Sequence, residues 1–299
     1  MDNRQVILGT ITLNIPIRCP LDVLGEGFHT EIGEIAVKLG IPEQQEGSEL
    51  LEAPAIASRY GIGADWGKVE DGTACVRSLF YGGQASAEEA QQLCRIITNW
   101  IRKLENLNLL MTAITEPIRM NSVSRVVRKT MYHMAPDGSL TLLHEDVGDI
   151  EPIMKAPGLL LDREKLQRLL DTTASNAVIR QPYTVFLNAC RALLRGDYYS
   201  AGVLGGTAAE LAGAEFIAVH SEKMSPHVQA LMLGDAREEQ FEHLAQLGLI
   251  IPGDLEDRII GVYTDMRYGK LTPDAETLRQ FLLDCGTVIR LCIPEHMAE

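Results

Sequence analysis

The chain has 299 residues, 46% of them hydrophobic, and a formal net charge of −14 at pH 7. That length suits two domains or one large one, and the apolar content supports a sizeable core and argues against wholesale disorder. The acidic balance excludes broad binding to a DNA phosphate backbone, which needs clustered Lys and Arg, although a local basic pocket remains compatible with it.

The N-terminus, MDNRQVILGT, lacks a basic flank followed by an apolar run, so no secretory leader is expected. Over residues 5–17, Ile11, Leu13, Ile15 and Ile17 alternate with Thr12 and Asn14, which predicts a strand with a bulge at Gly9, where the phase changes. Residues 21–40 read as a helix interrupted by Gly25 and Gly27, with His29 among Glu26, Glu31 and Glu34 as a candidate general base or an exposed helical residue. Residues 73–83 read as a strand ending in a turn. The Tyr81-Gly82-Gly83 there would present backbone N–H groups ahead of a helix, but the Lys-Ser/Thr of a phosphate-binding loop is missing. The clearest helix covers 86–107, opened by a Ser86/Glu89 capping box and lined on one face by Leu93, Ile96, Ile97, Trp100, Ile101 and Leu104. Residues 122–147 read as a hairpin turning at Pro136-Asp137-Gly138.

The second half is nearly all helical, with helices expected near 162–173, 183–195, 198–221, 225–247, 255–268 and 273–293. The expected fold class is therefore α+β: a mixed α+β domain over 1–155 and a helical bundle over 156–299. Six scattered cysteines without a C-x-x-C pair suit reduced thiols in a cytoplasmic protein. His220 and His227, with Glu222 and Lys223, lack a third ligand at recognisable spacing, so neither a metal nor a cofactor is expected. Residues 201–219 have the length of a membrane span, but Glu210 and Glu215 would each cost about 2.5–3.5 kcal/mol at a bilayer centre, so a buried helix is expected instead.

That helix carries glycines at 202, 205, 206 and 213, each costing about 1 kcal/mol relative to Ala. At helical spacing, Ala201, Gly205, Ala208, Ala209 and Ala212 form one small-residue stripe, and Gly202, Gly206, Ala209 and Gly213 an adjacent one. Such stripes let a second helix approach closely, either 183–195 of the same chain or the same helix of a second copy, so a homodimer through 198–213 is expected.

The stretch FLNACRALLRGDYYSAGVLGGTAAELAGAEF resembles the first helical hairpin of HEPN domains, which bind nucleotides or act on RNA. In that family a helix ends in a Gly-Asp-Tyr-like turn, and the next helix has small residues and an embedded Glu. Gly196, Asp197, Tyr198, Ala201, Ala209 and Glu210 stand in those positions. The later IIGVYTDMRYGKLTPDAETLRQFLLDCGTVIRLC resembles the family's last two helices, joined near Arg267-Tyr268. The resemblance covers about residues 180–293, and none of the first half. It implies a nucleotide or RNA ligand held by Asp197, Tyr198, Glu210, Arg267 and Tyr268.

Read as residues, these positions leave alternatives open. Glu210 is either half of a structural ion pair with Arg267 or Arg191, or a carboxylate facing a ligand cleft. Arg267-Tyr268 either contacts a phosphate and stacks a base, or closes a helix with Arg267 bound to Glu210. Ribonuclease members of the family carry an Arg followed, after four to six intervening residues, by a His, but after Arg267 those positions hold Thr272, Pro273 and Asp274. The spacing recurs at Arg128/His133, Arg237/His243 and Arg290/His296. Arg237/His243 is the candidate catalytic pair, although Glu238, Glu239 and Glu242 would repel an RNA phosphate. Two functions are therefore expected as alternatives: a nucleotide- or RNA-associated regulatory or defence-type protein without the ribonuclease pair, or a non-enzymatic dimerisation module whose acidic half binds a protein partner.

Overall fold

The computed structural model describes residues 5–32, 35–121, 125–150, 153–154, 159–175, 178–221, 225–228, 230 and 237–293. The protein is mixed α+β and forms two compact units. The first comprises Met1–Asn108 and Arg119–Asn176, the second Leu109–Ile118 and Ala177–Glu299. The expected division at 155/156 differs in two places: the helix after 162 belongs to the first unit, and 109–118 belongs to the second.

In the first unit the strands are β1 (Gln5–Pro20), β2 (Gly27–Ile32), β3 (Ile35–Gly40), β4 (Glu43–Gln44), β5 (Leu51–Glu52), β6 (Gly67–Glu70), β7 (Thr73–Ala85), β8 (Met120–Asn121), β9 (Arg125–Met134), β10 (Leu140–Ile150) and β11 (Ile153–Met154). Seven build one antiparallel sheet in the order β10-β9-β1-β7-β3-β2, with β6 also on β7. The helices are α1 (Ala55–Arg59), α2 (Ala87–Ala113), whose last turn lies in the second unit, and α3 (Arg163–Ala174).

Side chains on both faces of β1 are buried, Ile7 and Ile11 on one and Leu8 and Thr10 on the other, as befits a central strand. The polar Thr10 is satisfied there by Thr130 across the ladder, hydroxyl to hydroxyl at 2.7 Å. Gly9 is no bulge: it stands in register between Tyr81 and Met131. It is glycine because a β-carbon would strike the Tyr81 ring, whose hydroxyl donates to the Thr130 carbonyl at 2.9 Å. The irregularity in β1 falls later, between Thr12 and Ile17.

Residues 27–32 and 35–40 are not helical. They form the β2–β3 hairpin, with Phe28, Thr30, Ile32, Ile35, Val37 and Leu39 buried and the intervening described residues exposed or half-buried. Tyr81-Gly82-Gly83 likewise lies inside β7, which runs on to Ala85. Ser86 caps α2 as expected: the Glu89 N–H donates to its hydroxyl at 3.2 Å, and its own N–H donates to the Glu89 carboxylate at 2.5 Å. The β9–β10 hairpin turns at Pro136-Asp137-Gly138, with the Ser139 N–H on the Asp137 carboxylate at 2.9 Å and Gly138 at φ +84°.

The second unit holds α4 (Gln181–Leu194), α5 (Tyr198–His220), α6 (Arg237–Gln246), α7 (Gly253–Arg267) and α8 (Ala275–Cys292). Of the single helix expected over 225–247, residues 229 and 231–236 lie outside the described residues, and α6 forms the end. Helix α5 is the centre of this bundle and packs against α4, α6, α7 and α8. Its small residues Ala201, Gly202, Gly205, Gly206, Ala208, Ala209, Ala212 and Gly213 are all buried. A β-carbon at Gly202 would meet Met266, at Gly205 Leu282, at Gly206 Tyr263, and at Gly213 the Gln240 side chain. The glycines therefore admit helices of the same chain, α6, α7 and α8, and their lost helix propensity is offset by that packing. The stripe from which a homodimer was expected is thus occupied within the chain. By length and composition α5 is also apolar enough to cross a membrane, alone among the described residues.

Candidate functional site

Helix α4 ends at Arg195-Gly196, where Gly196 adopts φ +76°, and the chain turns directly into α5. Asp197 is the N-cap of α5: its carboxylate accepts the Ser200 N–H at 3.2 Å, and the Ser200 hydrogen bonds hold its carboxyl below the usual range. The Gly-Asp-Tyr turn thus has a local cause, a left-handed residue followed by a cap.

Helices α5 and α7 are antiparallel, since Gly202 faces Met266 while Gly206 faces Tyr263. This register brings the start of α5 and the end of α7 to one end of the bundle. Asp197, Tyr198 and Tyr199 therefore share that end with Arg267 and Tyr268, and the exposed Arg195 and Lys270 flank them. Tyr199 and Tyr268 are 55% and 69% exposed. Arg267 is exposed, and Tyr268 terminates α7 with its N–H on the Thr264 carbonyl at 3.1 Å.

Glu210 does not join this group. It lies eight residues, about 12 Å of helical rise, beyond Gly202, the residue level with Met266. The expected Glu210–Arg267 ion pair is accordingly not formed. Glu210 is half-buried, and its backbone carbonyl accepts Gln240 Nε2 at 3.1 Å. A half-buried ion pair of this bundle lies elsewhere. Asp284 on α8, with a side chain 6% exposed, takes Arg258 Nε at 2.8 Å and Nη2 at 3.1 Å, and Gln280 Nε2 at 2.9 Å. Nothing in the sequence pattern singled out this pair, because Arg258 and Asp284 come together only when α7 and α8 pack.

The candidate pair Arg237/His243 lies on α6, but the Arg237 side chain is outside the described residues. Six residues apart on one helix, the two positions are about 120° apart around its axis. His243 is half-buried. Of the histidine cluster after α5, His220 stacks on Phe216 with ring centroids 3.8 Å apart, and its Nδ1 meets the Phe216 carbonyl at 2.8 Å. His227 is exposed, and Glu222 and Lys223 lie outside the described residues. No group of three or more His, Cys, Asp or Glu among the described residues is arranged to hold a metal.

The first unit contains an open cleft of about 770 Å³ whose walls include His29, Glu31, Lys38, Gln84, Asp171 and Ser175. His29 sits opposite Lys38 on the β2–β3 ladder, and its carbonyl accepts Gln167 Nε2 from α3 at 3.1 Å. Of its expected carboxylate neighbours, Glu31 lines the same cleft, Glu26 pairs with Arg163 at 2.8 Å, and Glu34 is outside the described residues. Both signs of charge line this cleft, so it selects for no simple anion or cation.

No family model, no curated protein and no solved structure matches the chain.

Proposed function

We propose that the second unit is a HEPN-like bundle that binds a nucleotide or single-stranded RNA without cleaving it, within a regulatory or defence-type protein. The observation that carries this reading is the antiparallel register of α5 and α7, which gathers Asp197, Tyr198, Tyr199, Arg267 and Tyr268 at one end of the bundle. Exposed tyrosine rings offer stacking faces for bases, and an exposed guanidinium offers paired donors for a phosphate. Asp197 serves this end by starting α5 rather than by touching a ligand. Cleavage has no support: no His follows Arg267 at the family's spacing, and positions 237 and 243 diverge around α6.

Two measurements test the proposal. Mass spectrometry of the denatured purified protein should reveal a co-purified nucleotide, or fluorescence anisotropy should detect binding of a labelled oligoadenylate. In either assay the double variant Arg267→Ala/Tyr268→Ala should lose at least about tenfold in affinity, the amount expected for one stacked base. Unchanged affinity in that variant, or no binding by the wild type in both assays, refutes it.

A further inference from the structure

Glu105 is only 7% exposed, although it carries a carboxylate. It sits on α2 opposite the stretch of β1 between Thr12 and Ile17 that leaves the ladder with β7. The backbone N–H groups freed by that irregularity turn to the carboxylate. The Asn14 N–H donates to Glu105 Oε1, Asn14 Nδ2 donates to Oε2 at 3.1 Å, and the Ile15 N–H also favours the ionised carboxyl. Three residues on, Asn108 Nδ2 donates to the Pro16 carbonyl at 3.1 Å. Side chains of α2 thus stand in for the missing strand partner over 14–16.

The charged group that bears on Glu105 is Lys129 of β9, itself 3.6 Å from Asp146 of β10. Nearby β1 and β7 contribute the neutral Asn14, Thr12 and Ser78, while Arg18 donates to the Thr73 hydroxyl at 2.8 Å. Burial pushes the Glu105 carboxyl up to about 7, although the donors and Lys129 pull it the other way.

The geometry points to a proton-linked latch: the side-chain amide of Asn14 turns over as Glu105 gains or loses its proton, so the β1 irregularity is hydrogen-bonded to α2 in both states. With Glu105 ionised, Asn14 Nδ2–H donates to Oε2. When a proton from solvent settles on Oε2, that oxygen becomes a donor and faces a donor. A half-turn of the amide then presents Asn14 Oδ1 as its acceptor. The Asn14 backbone N–H keeps Oε1 throughout. Asn suits this position because its side chain offers both roles, which neither Asp nor Ser does at the same reach.

Solution NMR of the isotope-labelled full chain tests the latch. The Glu105 Cδ and the Asn14 Nδ2H2 resonances should titrate with one shared midpoint near neutrality. Nuclear Overhauser contacts from the Asn14 amide protons to Glu105 Hγ should be present above about pH 8 and lost below about pH 6. Glu105→Gln, which is permanently neutral, should hold those amide shifts constant across the range. The wild-type titration decides by itself if that variant fails to fold. A Glu105 Cδ midpoint below about 5, or Asn14 amide resonances and contacts that ignore pH, overturns the proposal.

Discussion

The ring of Tyr263 fills the space that a β-carbon at Gly206 would occupy. Gly206→Ala gains up to about 1 kcal/mol of helix propensity but must displace the Cδ2–Cε2 edge of a buried ring, and overpacking of this kind costs about 1–3 kcal/mol. A net loss of about 1 kcal/mol is expected in urea unfolding, and Tyr263→Leu in the same chain should return part of it.

Gly205 tests the oligomeric expectation directly. Leu282 of α8 already occupies the side on which a second copy's helix was expected to dock. Gly205→Leu should therefore disrupt the bundle, with loss of helical circular dichroism at temperatures where the wild type is folded. A folded monomer from a wild-type dimer would instead restore pairing between copies, and sedimentation of both proteins distinguishes the outcomes.

The two arginines of α7 should behave oppositely. Asp284→Asn strips the carboxylate from the partner of Arg258 in a site where Asp284 is nearly enclosed, and about 2–4 kcal/mol of stability should go with it. The Arg258 side chain is 45% exposed, so the lower half of that range is expected. Arg267→Met should change stability by less than about 0.5 kcal/mol, since Arg267 is exposed and far along the helix from Glu210. Thermal melts of both variants check the contrast.

Stability should fall as pH rises from about 4.5 to about 7. The sign follows from Glu105: its carboxyl titrates near 7 in the fold, against 4.5 for the ordinary group, so between those values the folded chain holds a proton that the unfolded chain releases. Above about 7 both states are ionised and the full penalty, about 3 kcal/mol, is present. Urea midpoints for wild type and Glu105→Gln should therefore diverge with rising pH, the wild type losing ground. Parallel curves would show that Glu105 is not the source.

Local chemistry made several elements legible. Ser86 and Glu89 announced the start of α2, and Pro136-Asp137-Gly138 announced the turn of a hairpin whose strands pair with one register shift, between Leu142 and His144. The β2–β3 hairpin misled because its two strands are separated by only two residues. The buried set 28, 30, 32, 35, 37, 39 jumps by three at the connection, so that 28, 32, 35 and 39 fall at helical spacing. Gly9 was legible as special but not its reason, a ring from another strand. At the bundle end, Asp197 and Tyr198 could be marked from their turn, and Arg267 and Tyr268 from the helix terminus. Tyr199 could not, because its exposure depends on which face α5 buries. Arg258 with Asp284, and Glu105 with Asn14, are separated by 26 and 91 residues, and such pairings exist only once helices and sheet are assembled.

Helix α2 runs without a break from residues of the first unit into residues of the second. Its final turn and the following residues are integral to the bundle: a β-carbon at Gly286 would meet the Ala113 carbonyl and the Ile114 backbone at 3.2 and 3.1 Å. No single cut in the polypeptide can therefore release either unit whole. A fragment beginning at 177 lacks one wall of its own interior, and the complementary fragment keeps α2 with a tip that has nothing to pack on. The gene admits two halves only if they are expressed together and the severed wall finds its bundle again, which makes split-protein complementation, rather than truncation, the way to take this molecule apart.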